Sequence, residues 1–292
     1  MTARPDLARI ASRLGSPPVT RYAPSPTGYL HLGHVVNAIY VWGIARALKG
    51  RVVLRIEDHD RIRCRPVFES ALLDDLDWLG FDADTGRAPV NRQSDRHPTY
   101  EEALRHLRDT HQVYACGCSR KDIGGERYPN ICRESRLDER VGRGVRVAID
   151  AGEEVFVDGF LGPQWQSPAD DCGDLLLRDR DGHWTYQFGV AVDDMREGIT
   201  LVIRGADLLS STGRQMRLAR MLGRAEPPLY VHHSLILKPS GEKLSKASGD
   251  TGVRELRAAG LSAADVIGRA AAAVGLLAAA RPIPAEAVEE LF

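Results

Sequence analysis

The sequence predicts an α/β fold that opens with a parallel sheet. Two observations carry this expectation. Between Val19 and Asp58 the chain reads strand, loop, helix, strand, which is the opening of a βαβ unit. Beyond it, short β-branched runs recur among amphipathic helical stretches, and 292 residues suffice for one large or two ordinary domains with a substantial core.

The elements follow in order. Residues 1–20 form a polar leader. Within "PPVTRYAP", Val19 to Tyr22 has strand character. In "HVVNAIYVWGIARALKG" the pairs Val35/Val36, Ile39/Tyr40 and Gly43/Ala47 recur at helical spacing, and Lys49 with Gly50 closes the helix. "RVVLRIED" is a β-branched strand run. "ESALLDDLDWLGFD" and "HPTYEEALRHLRDTH" read as amphipathic helices, the second with Pro98 in its first turn. From about Val113 to Asp150 helical periodicity fails, and eight Lys/Arg stand against five Asp/Glu between Arg120 and Arg146. "VRVAID", "EEVFVDGFLG", "DLLLRDRDGHWTYQFGVAVDD" and "ITLVIRGAD" then supply strands, with "DRDG" as a hairpin turn and Tyr186 in a strand. "RQMRLARMLGR" is a helix that puts Arg214, Arg217, Arg220 and Arg224 on one face, either to grip phosphates or as a solvated surface. "YVHHSLILK" is a buried strand, and the Ala-rich stretch from Val253 is helical.

Composition excludes several classes. Thirty-nine basic residues against 40 acidic give a net charge of −1, so any RNA contact must come from local patches. The leader has no continuous apolar core and does not read as a secretory signal. The longest apolar run, Ala270 to Ala280, falls far short of the roughly 20 residues a membrane span needs, so no membrane partner is expected. Five cysteines without regular spacing fit a reduced cytoplasm better than a disulfide framework.

Chemistry concentrates in three stretches. "RYAPSPTGYLHLGH", Arg21 to His34, puts a proline- and glycine-rich turn and two histidines at a helix mouth, where the helix dipole and backbone N–H groups favour an anion. Gly33 would let a ligand approach the backbone closely. Read alone, the stretch is equally a helix cap with two polar histidines. "GEKLSKAS", Gly241 to Ser248, spaces Lys243 and Lys246 to reach one polyanion, though alone it reads as a solvated loop. "CGCSRKDIGGERYPNIC" brings Cys116, Cys118, Tyr128 and Cys132 into one segment. Its CxC departs from the usual CxxC of structural zinc and leaves a zinc knuckle and buried thiols both open.

Together and in this order, "HLGH" and "KLSKAS" resemble the two signatures of class I aminoacyl-tRNA synthetases. "RYAPSPTGYLHLGH", "LRIEDHD" and "IRGADLL" resemble the glutamyl/glutaminyl branch. The resemblance implies a Rossmann-like catalytic core, split into residues 21–112 and 191–250. It further implies an inserted zinc-binding, acceptor-type subdomain over 113–190 and a short helical tail over 251–292. The implied reaction is activation of L-glutamate by ATP to glutamyl-adenylate, then transfer to tRNA. That chemistry rests on positioning and on stabilising phosphate charge, because a carboxylate nucleophile needs no general base.

The resemblance assigns roles residue by residue. His31, His34 and Lys246 serve catalysis and, with Lys243, bind ATP, and Mg²⁺ accompanies the triphosphate. Arg21, Ser25, Glu57, Tyr186 and Arg204 line the glutamate pocket: two guanidiniums, one acid and a phenol match a dianionic amino acid with one ammonium. Cys116, Cys118, Tyr128 and Cys132 match a Cys-x-Cys…Tyr-x-x-x-Cys zinc site of structural role.

After Lys246 only 292 − 246 = 46 residues follow, fewer than a typical domain. The layout therefore resembles the glutamyl-Q tRNA(Asp) synthetase family, which lacks the anticodon-binding domain. That family esterifies glutamate to the queuosine base in the anticodon of tRNA(Asp), so the implied partner is the queuosine-bearing anticodon stem-loop. A truncated glutamyl-tRNA synthetase charging the tRNA 3′ end is the nearest alternative, and a catalytically idle RNA-binding paralogue is another. A cytoplasmic monomer is expected.

Overall fold

The computed structural model describes residues 4–60, 62–236 and 252–292. The leader holds helix α1 (Leu7–Leu14), which the sequence reading left without an element. Asp6 caps its start through the Arg9 N–H, Gly15 ends it in the left-handed conformation at φ 67°, and Ile10 anchors it in the core. Strand β1 (Val19–Tyr22), helix α2 (Leu32–Ala47) and strand β2 (Arg51–Leu54) follow, and β1 pairs with β2 in parallel from Val19↔Arg51 to Tyr22↔Leu54. The anticipated βαβ opening is therefore present. Helix α2 buries Val35, Val36 and every residue from Ala38 to Ala45, a full girdle in place of a stripe. Its far side packs on the C-terminal helices, and Gly43 leaves no room for a side chain, since a Cβ there would lie 2.3 Å from the Phe292 ring.

Helices α3 (Pro66–Leu79) and α4 (His97–Thr110) lead into an antiparallel sheet of β3 (Val113–Cys116), β4 (Gly144–Val147) and β7 (Leu175–Arg178), in the order β3-β4-β7. Between these strands lie the short helix α5 (Arg120–Ile123), the hairpin β5 (Glu154–Asp158) and β6 (Gly162–Gln166), and the short helix α6 (Pro168–Asp171). The sheet rests on α4 and on α7 (Tyr186–Arg196) through Leu104, Leu107, Val147, Leu177, Phe188 and Val192. Tyr186 thus opens a helix, which corrects the strand expectation. The "DRDG" turn closes and Trp184 makes one bridge to Arg178, after which extended Thr185 starts a helix. Phe188 and Val192, four residues apart, mark its buried side.

The third sheet has the order β6-β5-β9-β8, built with β8 (Leu201–Gly205) and β9 (Leu229–His233), which pair in parallel. β5 joins β9 in parallel at Asp158↔Tyr230, and β8 lies beside β1, where the Thr200 N–H donates to the Val19 carbonyl at 2.9 Å. Helix α8 (Thr212–Met221) carries the arginine face. Arg217 and Arg220 converge on the fully buried Glu154, and Arg224 donates to the carbonyls of Ile199 and Glu226, so three of the four arginines hold the sheet together. Helices α9 (Val253–Ala258) and α10 (Ala263–Ala273) and a final 3₁₀ turn (Ala285–Leu291) cover α2.

Candidate functional site

In an open α/β sheet, ligands sit beyond the carboxyl ends of the parallel strands. A cavity of about 430 Å³ lies there. Its walls come from the residues just after β1 (Ala23 to Ser25), β2 (Glu57), β8 (Asp207, Leu208) and β9 (Leu235, Ile236), together with the mouth of α2. Arg21, Ser25, His31, His34, Glu57, Tyr186 and Arg204 all line it, so seven predicted site residues share one cavity. Lys243 and Lys246 lie outside the described residues. The flanks of that segment do meet the site: Ile236 lines the cavity, and Gly252 bridges His31 while the Val253 N–H donates to the Leu30 carbonyl at 3.0 Å.

The two histidines form a reciprocal cap. The Gly33 N–H donates to His31 Nδ1 and the His31 N–H donates to His34 Nδ1, both at 3.1 Å. A ring nitrogen that accepts a hydrogen bond carries no proton, so each neutral imidazole holds its proton on Nε2 and is a donor there. The HxGH spacing thus makes the helix cap and the donor pair one device. Gly33 serves it directly: the space beside it, expected for a ligand, is taken by the His31 ring, and a Cβ would stand 2.9 Å from that ring.

At the other end, the Arg21 Nε donates to Asp194 at 3.2 Å and Nη1 to the Ile203 carbonyl at 3.3 Å. Arg204 is buried and its three recorded partners are all neutral: His232 Nε2 at 3.0 Å, Gln215 Oε1 at 2.7 Å and Thr212 Oγ1 at 2.8 Å. Among the described residues no carboxylate contacts it, and two of its five N–H donors remain for an anionic ligand. His232 is itself set by Asp158, which accepts from Nδ1 at 2.7 Å. Burial first, then the Arg204 charge, lowers the His232 pKa against the pull of Asp158, in keeping with a neutral ring whose Nε2 accepts from Arg204. Burial raises the Asp158 carboxyl, but the hydrogen bond from His232, with those from backbone N–H groups, holds it below its ordinary value. Replacing Asp158 with Asn keeps Oδ1 on the Phe160 and Leu161 N–H groups and so puts an amide N–H where Oδ2 now accepts from His232. We expect the KM for glutamate to rise about 10-fold with kcat near wild type, the cost of one charge-assisted hydrogen bond. Steady-state pyrophosphate exchange checks this, and an unchanged KM contradicts it.

Behind the cavity lies a buried ionic cluster that sequence reasoning missed. Arg55, fully buried, pairs with Glu197 at 2.7 Å, Asp194 at 2.8 Å, Glu57 at 3.2 Å and Asp193 at 3.9 Å. Arg96 adds contacts to Asp193 at 2.6 Å and Glu197 at 2.5 Å, and the Tyr100 hydroxyl and Gln93 amide both donate to Asp193. Desolvation raises the Glu57 pKa despite Arg55 and Arg21. A carboxyl raised in the folded state binds its proton more tightly there than when unfolded. Its ionisation therefore costs stability as pH climbs from the unfolded value, and a substrate ammonium offsets that cost. Glutamate binding should weaken as pH falls through a midpoint above the ordinary Glu value of about 4.3. Glu57→Gln should bind glutamate weakly at all pH and lose that dependence, and calorimetric titration across pH 4–8 reads both. A parallel pH dependence in both proteins contradicts this assignment.

Cys116, Cys118 and Cys132 also converge: their Sγ atoms lie within 4.8 Å of one another, with Cys118 and Cys132 3.5 Å apart. The Tyr128 hydroxyl lies 3.4 Å from Cys116 Sγ and accepts from the Cys132 N–H at 2.9 Å. All three are free thiols. A tetrahedral Zn²⁺ with 2.3 Å bonds sets its sulfurs roughly 3.8 Å apart, so the three thiols fit that ion in spacing, with the Tyr128 oxygen beside Cys116 as the fourth ligand candidate. Burial and the neighbouring thiols push Cys118 up to about 12, a crowding that a divalent cation relieves.

Residues 18–264 match the family described as tRNA synthetases class I (E and Q), catalytic domain. A glutamyl-Q tRNA(Asp) synthetase of Nitratidesulfovibrio vulgaris is 40% identical over 281 residues, covering 88% of this chain and 86% of the relative. The chain belongs to the glutamyl-Q tRNA(Asp) synthetase family. Another member of the glutamyl-Q tRNA(Asp) synthetase family, from Bordetella bronchiseptica, is 43% identical over 264 residues, or 85% and 82% of the two chains. Among solved structures, a glutamate tRNA ligase of Elizabethkingia meningosepticum, in complex with its amino acid, superposes with a TM-score of 0.78 at 25% identity. That match covers 95% of this chain and 65% of the ligase, so this glutamyl-Q tRNA(Asp) synthetase family chain spans a little under two thirds of it. The class I catalytic fold expected from the motifs is thereby confirmed.

Proposed function

We propose that this chain activates L-glutamate with ATP and transfers the glutamyl group to the queuosine base in the anticodon of tRNA(Asp). Ligase activity of the glutamate–tRNA type follows from family membership. The observation that carries the glutamate-activation reading is the shared cavity, lined by a two-histidine donor pair together with Arg21, Glu57, Tyr186 and Arg204, while the acceptor reading is supported by the relatives' name. Arg21 and Arg204 hold the substrate carboxylates, Glu57 takes the ammonium, and Tyr186 and Ser25 complete the polar wall. In the first step an α-carboxylate oxygen attacks the α-phosphorus, and the bond to pyrophosphate breaks. His31 and His34 donate from Nε2 to phosphate oxygens, and Lys243 and Lys246 add positive charge. Mg²⁺, arriving with the nucleotide, would supply positive charge to its phosphate oxygens. In the second step a cyclopentene-diol hydroxyl oxygen attacks the glutamyl carbonyl carbon; the ester bond forms, the anhydride C–O bond breaks, and AMP leaves with the hydroxyl proton on its phosphate.

Cys116, Cys118, Tyr128 and Cys132 would hold one structural Zn²⁺ that pins the segment after β3. Metal analysis should find one zinc per chain, lost in Cys132→Ser. A metal-free wild-type protein that keeps its thermal stability contradicts this. The enzyme acts as a cytoplasmic monomer in this reading, and a dimer's sedimentation coefficient would contradict that. Among the described residues no helix is long and apolar enough to cross a membrane. The acceptor is tested by offering labelled glutamate with tRNA(Asp) that does or does not carry queuosine. Transfer confined to the queuosine-bearing tRNA supports the reading, and equal transfer to both, at the 3′ end, overturns it.

A further inference from the structure

A second cavity, about 240 Å³, lies beside the first and shares none of its lining residues. It lies between the residues after β2 and the chain that leads into α7, and its walls include His59, Gln93, His97, Tyr100 and Trp184. The two cavities meet at one aromatic contact, where the His59 ring lies 5.8 Å from Tyr186, which lines the first. The volume falls just below the range of about 300–1,000 Å³ that takes drug-sized ligands, so it suits one heterocycle.

The hydrogen bonds set the chemistry of these walls. Gln93 Nε2 donates to the Asp193 carboxylate at 2.8 Å, which turns Oε1 toward His59 Nδ1 at 3.0 Å. His59 Nδ1 must then carry the proton, and neutral His59 is an acceptor at Nε2. The Trp184 Nε1–H donates to His97 Nδ1 at 3.0 Å, so the neutral His97 ring carries its proton on Nε2, 3.7 Å from the Glu101 carboxylate, and its role at the wall is to hold Trp184. Trp184 is held by Tyr100 and Phe188 at ring separations of 5.7 and 5.4 Å, which fixes its plane. Rigid ring faces beside one ring-nitrogen acceptor, His59 Nε2, suit an unstacked nucleic-acid base.

We propose that this cavity seats the heterocyclic base of the acceptor nucleotide, with Trp184 as its binding residue and His97 as the residue that positions Trp184. The base lies among the aromatic rings, and its hydroxyl-bearing substituent extends past Tyr186 toward the activated glutamate. The assignment rests on the acceptor reading above, and the test separates the two. Full-length Trp184→Leu and His97→Ala are assayed with tRNA(Asp) carrying queuosine. Glutamate-dependent pyrophosphate exchange without tRNA serves as the control for folding and for the first step. Exchange within twofold of wild type, with the KM for tRNA raised about 10-fold in Trp184→Leu and about threefold in His97→Ala, supports the proposal. Exchange intact with an unchanged KM for tRNA overturns it. If Trp184→Leu fails to fold, the more exposed His97→Ala decides alone. Failure of the acceptor reading looks different, since wild type would then glutamylate tRNA(Asp) lacking queuosine equally well.

Discussion

Replacing Arg204 with alanine should raise the KM for glutamate in pyrophosphate exchange about 100-fold or more, the largest effect expected of any single change at the site. Arg204 is buried and carries its charge among neutral partners, so a substrate carboxylate is its natural counter-ion. Removing one side of a buried, hydrogen-bonded charge pair costs about 2–5 kcal/mol, and every 1.4 kcal/mol is tenfold. Arg204→Lys separates charge from shape. An ammonium keeps the charge but cannot serve His232, Gln215 and Thr212 while reaching the substrate, so it should recover only part of the loss. Thermal melts distinguish a folded, weak-binding variant from an unfolded one. A KM within threefold of wild type in a folded Arg204→Ala protein contradicts the assignment.

Arg55→Met should destabilise the fold by about 3–5 kcal/mol at pH 7, because it leaves four carboxylates around an apolar side chain. Burial alone would lower the Arg55 pKa, but Asp194, Glu197, Glu57 and Asp193 together raise it well above its ordinary value. The guanidinium is therefore charged throughout the working range, and the pH dependence comes from its partners. Burial would raise the Asp194 carboxyl, yet Arg21 and Arg55 hold it below its usual value. A depressed carboxyl gives stability above its unfolded pKa of about 3.9 and loses it as pH falls through the folded value. The variant's deficit should accordingly be widest at pH 7 and narrow toward pH 4, as the orphaned carboxylates take up protons. Urea denaturation at both pH values reads this. A deficit below 1 kcal/mol at pH 7, or one that widens in acid, contradicts it.

Much of this was legible in the chain, for reasons that differ by element. The βαβ opening showed because β-branched runs and a helical apolar pattern sit side by side from Val19 to Leu54. The family resemblance was borne out because its motifs are turns at strand ends, where side-chain chemistry is local. Helix α1 was missed although Asp6, Ile10 and Gly15 signal its cap, core contact and stop. Tyr186 was misread because β-branched and aromatic residues around it suit a strand, and packing against α4, α8 and the β3-β4-β7 sheet favours the helix. The Arg55 cluster had no local signal at all. Charged residues default to the surface, and the chain brings Arg55 to Asp193, Asp194 and Glu197 only by folding across about 140 positions. The same holds for the Asp158–His232–Arg204 relay, whose members come from three different strands. For the arginine face of α8, sequence left two uses open, and the buried Glu154 decided for a structural one.

The central claim is that one cleft binds an acidic amino acid and joins it to ATP. Pyrophosphate exchange in the absence of tRNA tests it most directly, with L-glutamate, L-glutamine and L-aspartate offered in turn. The account predicts exchange with L-glutamate alone, since glutamine lacks the second charge and aspartate carries its second carboxylate one methylene shorter. Exchange that proceeds equally with glutamine, or none with glutamate in folded protein, would contradict it.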